Sequence, residues 1–135
     1  MNAQQKTLAQ KCLDAAEGDT MTFPQIISAL TEGGFEGYAV DLRRSVAVYY
    51  LLTGSSVELP MHDVGGEVKE VFDAGALQSA VREAQQLVAG YTYKGFCAKA
   101  KAAGCAGYMV SFSGRRVVYF GRTAETHLEV FPSAA

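Results

Sequence analysis

The residues best suited to chemistry lie near the end of the chain, in segment 121–132, which reads G-R-T-A-E-T-H-L-E-V-F-P. If this segment is a strand, alternate side chains share a face, and Glu125, His127 and Glu129 lie together. An imidazole between two carboxylates has raised basicity and could serve as a general acid or base. Arg122 precedes them across a turn and could hold an anionic substrate. The segment is therefore a candidate catalytic site.

The same segment has a second interpretation, a solvated face of an edge strand. Charged side chains on such a strand discourage pairing with another sheet. Phe131 would share the face of His127, while Leu128 and Val130 would lie on the other. Both interpretations are open on the sequence alone.

A metal site is a further hypothesis, which adds two residues from the middle of the chain. His62, Asp63 and His127 offer imidazole and carboxylate groups, which transition metals accept. Their spacing lacks the helical H-x-x-x-H arrangement, and the sequence contains no P-loop, Rossmann glycine pattern or G-x-S-x-G. We therefore expect no cofactor.

Two stretches that are 70 residues apart must position these groups. Segments 22–50 and 92–120 align without a gap. Identical residues recur at this offset, among them Gly34, Gly37, Tyr38, Val40, Val48 and Tyr49, which match Gly104, Gly107, Tyr108, Val110, Val118 and Tyr119. Matching positions are best explained as fold, so function is sought where the copies differ. Beyond the aligned stretches, Glu58 of V-E-L-P is matched with Glu129 of L-E-V-F-P.

Each copy is predicted to contain two helices, a β-hairpin and a possible third short strand. We therefore predict an α+β fold, an internally duplicated helix-helix-β-hairpin unit whose helices pack on one face of the sheet, with a pseudo-two-fold axis. Residues 1–135 would form a single domain. Repeat one spans about 3–60, the inter-repeat loop about 61–72 and repeat two about 73–132.

Local patterns predict the helices. The apolar spacing indicates a helix over Gln4–Glu17. Thr22 and Gln25 have the form of a capping box that begins the next one. Asp73 is predicted to cap a helix over Ala74–Ala89.

The strands are predicted from composition and turns. The stretch Val46–Leu52 is apolar throughout, which predicts an interior strand that is covered on both sides. A two-residue turn at Ser113-Gly114 would set Val110 opposite Val117. The last strand is predicted over Thr126–Phe131.

Composition excludes several classes of protein. A hydrophobic content of 49% is typical of a globular chain, and a net charge of -2 gives no general attraction to nucleic acid. Residues 1–19 contain no signal-peptide run, and no apolar stretch is long enough to span a membrane. Three cysteines without a C-x-x-C pair indicate reduced thiols in a cytoplasmic protein.

Three strings, at 34–42 (G-x-x-G-Y-x-V-D-L), 103–108 (A-G-C-A-G-Y) and 119–132 (Y-F-G-R-T-A-E-T-H-L-E-V-F-P), resemble the YbcV-like family of small bacterial and prophage-borne proteins. The resemblance implies one α+β domain in a cytoplasmic setting. It transfers no catalytic residues, because the family has no established function. Ala124 stands where the family's G-R-x-G-E-x-H pattern has glycine.

The favoured hypothesis is a non-catalytic binding or interaction module, with a groove between the two repeats for a small ligand or a protein. One alternative is a small enzyme that uses His127 with Glu125 or Glu129, and Arg122 as the anion holder. Another is a prophage structural component. A homodimer is also possible.

Overall fold

The computed structural model describes residues 1–132, in which the same order of elements occurs twice. The first half contains α1 (Ala3–Glu17), α2 (Phe23–Glu32), β1 (Phe35–Asp41), β2 (Val46–Leu51) and β3 (Ser56–Pro60). The second contains α3 (Ala74–Gln86), α4 (Tyr93–Ala102), β4 (Cys105–Ser111), β5 (Arg116–Gly121) and β6 (Thr126–Val130). From α2 and α4 onwards, every boundary recurs 70 residues later. The α+β class is confirmed, whereas duplication as the origin of the two halves stays a prediction.

The strands form one six-stranded antiparallel sheet in the order β3-β2-β1-β4-β5-β6. At its centre Ala39 of β1 lies opposite Met109 of β4. These two residues are separated by the same 70 positions that relate the halves. The central register is therefore unchanged when the halves are exchanged, as a pseudo-two-fold axis requires.

The predicted hairpin register is confirmed, since Val110 pairs with Val117. The strands stop earlier than a two-residue turn requires, at Ser111 and Arg116. Arg115, in the connection between them, adopts a left-handed φ of 51°. This left-handed residue lets the longer connection close on the same register.

The predicted caps form. Thr22 and Gln25 make the reciprocal hydrogen bonds of a capping box, and the Asp73 side chain caps α3. However, α3 ends before the predicted Ala89. Leu87 has φ 48° and ψ 51°, and a left-handed residue at this position stops the helical hydrogen-bond pattern.

The helices cover one face of the sheet, with α2 packed on β1 and α4 on β4. This covered face holds one hydrophobic cluster with members from both halves, among them Leu30, Tyr49, Leu77, Phe96 and Tyr119. Within residues 1–132, no helix has both the length and the apolar composition that crossing a bilayer requires.

Strand β2 is interior, as predicted. The prediction that both of its faces are covered is wrong. Ala47 and Tyr49 are buried under the helices, whereas Val48 on the opposite face is only half-buried and Tyr50 is exposed. Because the helices pack against one side of the sheet only, every second residue of this apolar strand faces solvent. We call that opposite side of the sheet the open face.

Candidate functional site

His127 and Glu129 lie on the covered face of the edge strand β6. They pair across the sheet with the buried residues Tyr119 and Val117. His127 Nε2 lies 2.8 Å from Glu129 Oε1, and the two side chains are only 18% and 19% exposed. The interpretation of a solvated strand face therefore does not hold for this pair.

Glu125 and Arg122 do not join this pair. Strand β6 begins at Thr126, so strand alternation does not extend back to Glu125, whose side chain is exposed. Arg122 donates a hydrogen bond from Nη1 to the carbonyl oxygen of Val68, at 3.3 Å. The expected imidazole between two carboxylates, with a guanidinium above it, is therefore wrong; one carboxylate contacts the ring.

The other half of the sheet holds apolar residues at the same two places. At the 70-residue offset His127 corresponds to Val57, which pairs with Tyr49 just as His127 pairs with Tyr119. Glu129 corresponds to Leu59. The sequence match of Glu58 with Glu129 is wrong by one residue, and a one-residue shift moves a strand side chain to the other face.

On α4, the helix that covers the second half, two positions also carry hydrogen-bonding groups where α2 of the first half has apolar ones. Phe23 of α2 corresponds to Tyr93 of α4, whose hydroxyl lies 2.6 Å from the Tyr108 hydroxyl. Ile27 corresponds to Cys97. The second half has thus gained hydrogen-bonding groups on its covered face. The sequence comparison could have found this by following the 70-residue offset to the end of β6.

A row of aromatic rings leads across the covered face to His127. Ring centroids are 5.2 Å apart for Tyr49–Tyr38, 6.5 Å for Tyr38–Tyr108, 5.4 Å for Tyr108–Tyr119 and 6.4 Å for Tyr119–His127. Burial raises the pKa of Tyr38 and of Tyr108 well above the ordinary phenol value, and neighbouring phenols raise both pKa values further. These hydroxyls therefore stay protonated at neutral pH and act in packing and hydrogen bonding.

The three cysteines are free and buried, in line with the prediction of reduced thiols. Burial raises the pKa of Cys97 and of Cys105 to about 11, which keeps both protonated and poorly nucleophilic at neutral pH. A cytoplasmic location stays a prediction.

The metal hypothesis gains no geometric support. Residues 1–132 contain no group of three or more His, Cys, Asp or Glu side chains that could hold an ion. The backbone N–H of His62 donates to Glu17 Oε2 at 2.6 Å. Asp63 Oδ1 accepts from the Gly65 N–H at 2.8 Å, and Lys101 Nζ lies 3.8 Å away from it.

Two shallow cavities lie on the helical side. One, of about 360 Å³, lies between α3 and α4, where Lys99 Nζ contacts Glu83 Oε1 at 2.8 Å. The other, of about 420 Å³, lies along α1. Neither includes His127 or lies between the two halves, so the predicted groove at their junction stays a prediction.

The open face carries an uninterrupted apolar row. Five strands, from β2 to β6 across the sheet, each contribute one paired residue to it: Val48, Ala39, Met109, Val118 and Leu128. Glu58 on the edge strand β3 pairs with Val48 and ends the row. Met109 is 54% exposed and Leu128 49%. This surface was missed because the β2 segment was predicted to be covered on both sides.

The YbcV-like resemblance and the prophage association stay predictions. No curated protein matches the chain. Residues 10–129 match the family described as Protein of unknown function (DUF1398). Since this match covers most of the chain, the protein belongs to that family.

Proposed function

We propose that the protein is a non-catalytic protein-interaction module that binds through the open face of its sheet. The observation that carries this proposal is the apolar row across the face. The solvent side of an antiparallel sheet is ordinarily polar, and an extended exposed apolar patch typically marks an interaction site. Here Met109, Val118 and Leu128 follow one another on three adjacent strands of that side.

The cavities support a protein partner over a small molecule. Ligand sites are usually concave and enclose most of the ligand. The two cavities on the helical side are shallow and lie away from the His127–Glu129 pair. An extended apolar sheet face instead suits another protein surface. A structural role in a phage particle would use the same face.

The test compares complexes that the tagged full-length chain forms in its native host. We expect Met109→Glu and Leu128→Glu to lose any bound protein, because each places a charge within the apolar row. Leu52→Glu is the matched control, since Leu52 is 73% exposed and lies in the turn after β2. The proposal fails if the open-face variants keep the same partners as the control.

The enzyme hypothesis is the second candidate, and one observation favours it. A hydrogen-bonded His127–Glu129 pair occupies the places that Val57 and Leu59 fill in the first half. Replacing a buried ion pair by apolar residues of similar size is often neutral or stabilising. Its presence is therefore expected where it serves another purpose, such as proton transfer. The stabilities of the single and double variants at these two positions separate this purpose from a structural one.

Two further features support an origin by duplication and a single domain. All eight boundaries of β1, β2, β3 and α2 recur 70 residues later. The hydrophobic cluster joins residues of both halves, which two independent domains would not share.

A further inference from the structure

We propose that the partner on the open face is a second copy of this chain, bound face to face about a two-fold axis that passes over Met109. This inference rests on the proposed function and names its partner. Three features of the face carry it: its extent, its charges and the position of Met109 between those charges.

The extent of the face suits a homodimer. Strands lie ~4.8 Å apart and rise ~3.4 Å per residue, so six strands of about five residues project an area of roughly 500 Å². Side-chain relief makes the accessible area larger than this projection. A standard interface buries about 800 Å² on each partner, so nearly the whole face would have to be in contact. A second copy offers a face of equal size.

The charges of the face are self-complementary. Among the paired residues of β1, β2, β4, β5 and β6 that lie on the open face, Asp41 is the acid and Arg116 the base. Glu58 on the edge strand β3 already has a partner, since its Oε1 lies 3.6 Å from Arg44 Nη1. A two-fold axis that brings Asp41 of one copy to Arg116 of the other forms the reciprocal pair at the same time.

Both charged groups have atoms available for such a pair. Asp41 Oδ1 accepts from the N–H groups of Arg43 and Arg44, at 2.9 and 3.1 Å. Arg116 Nε donates to the Gly114 carbonyl oxygen at 3.1 Å. Within residues 1–132, neither Asp41 Oδ2 nor the terminal Arg116 nitrogens have a hydrogen-bond partner.

Met109 lies midway between these charges. Asp41 is on the neighbouring strand β1 at the level of Gly107, and Arg116 is on the other neighbour β5 at the level of Ser111. Gly107 and Ser111 flank Met109 at equal distances along β4. An axis that exchanges the two charges therefore passes over Met109, which contacts the same residue of the second copy.

The first experiment measures oligomeric state and cross-linking. Sedimentation velocity of the full chain should show a dimer, and Met109→Cys should form a covalent dimer on mild oxidation. Leu52→Cys is the control and should remain uncross-linked, because Leu52 is more exposed than Met109 and lies in the turn after β2. The three native thiols are buried and serve as an internal background. A monomer at every concentration, or equal cross-linking of both variants, overturns the inference.

The second experiment uses the charges and does not depend on the apolar row. Arg116→Asp and Asp41→Lys should each weaken dimerisation at least tenfold, because each creates two like-charge contacts. An equimolar mixture should recover a heterodimer, since each copy then supplies the sign that the other lacks. Circular dichroism confirms that each variant is folded. No recovery in the mixture of folded variants overturns the proposed axis.

Failure of the homodimer can be distinguished from failure of the proposed function. A monomeric chain that binds another protein in its host, and loses it on Met109→Glu, overturns the homodimer alone. A monomeric chain with no open-face partner overturns both.

Discussion

His127 contacts Glu129 on the covered side of β6, where Val57 and Leu59 stand in the other half. The imidazole and the carboxylate are hydrogen-bonded to each other, and they lie beside Tyr119 and Val117 of β5. The edge strand is therefore polar towards the helices and apolar, at Leu128 and Val130, towards solvent.

Replacing one member of the pair should cost more than replacing both. His127→Val or Glu129→Leu alone leaves a mostly buried polar partner without its hydrogen bond, which costs about 1–3 kcal/mol. The double variant restores the residues of the first half, and we expect a free energy of unfolding equal to or above that of the wild type. Urea unfolding of the four proteins measures this cycle.

The sign of the double variant separates two roles. A more stable double variant means that the pair is kept at a cost in stability, as functional residues often are. A double variant that is less stable than the wild type would mean that the pair is kept for stability, and would remove the support for the acid–base hypothesis.

Replacing Ala124 by glycine should stabilise the protein. Its φ is 65°, a left-handed conformation in which a β-carbon costs about 1 kcal/mol. The corresponding residue of the first half is Gly54, with φ 93°. We expect Ala124→Gly to raise the free energy of unfolding by up to about 1 kcal/mol, and Gly54→Ala to lower it similarly.

Gly54→Ala is a clean control, because a β-carbon there would meet no atom within 4 Å. Its effect therefore reports the backbone conformation alone. A loss of stability in Ala124→Gly would show that chain entropy outweighs the conformational strain at this turn.

Stability should fall as the pH rises above about 9. Burial raises the pKa of Cys97 and of Cys105 from 9.0 to about 11 in the folded protein. The folded state then binds more protons than the unfolded state between these values. The stabilising contribution of each thiol is thus complete below pH 9 and is lost as pH rises towards about 11, at about 1 kcal/mol per pH unit.

The measurement is the free energy of unfolding between pH 8 and pH 11, compared with Cys97→Ala and Cys105→Ala. Each variant should show a shallower decline than the wild type between about pH 9 and 10. The buried tyrosines, with an ordinary pKa of about 10, add the same slope to the wild type and to both variants. Identical slopes in wild type and variants would show that the thiols do not contribute.

Both halves should unfold together. Leu30 in the first half and Leu77 in the second are fully buried in one hydrophobic cluster, and replacing either by alanine should cost about 2–5 kcal/mol. If the chain is one domain, either substitution lowers the stability of both halves equally. Amide hydrogen exchange of β2 and β5, read by NMR, tests this. Protection lost only in the half that carries the substitution would indicate two domains.

Local features could be predicted from the sequence because near neighbours along the chain decide them. The capping box at Thr22 depends on residues three apart, and it forms. The pairing of Val110 with Val117 follows from a short connection, and it also holds although the turn itself is longer. The 70-residue offset likewise recurs in the element boundaries, because equal local patterns produce equal elements.

The tertiary structure alone decided which side of each strand is covered. Alternation places His127 and Glu129 on one face, but only the packing of the helices makes that face the buried one. For the same reason the apolar β2 segment has one face towards solvent, and Met109 lies at the centre of an open surface. The pairing of β1 with β4 joins residues about 70 positions apart, a contact that no local pattern specifies.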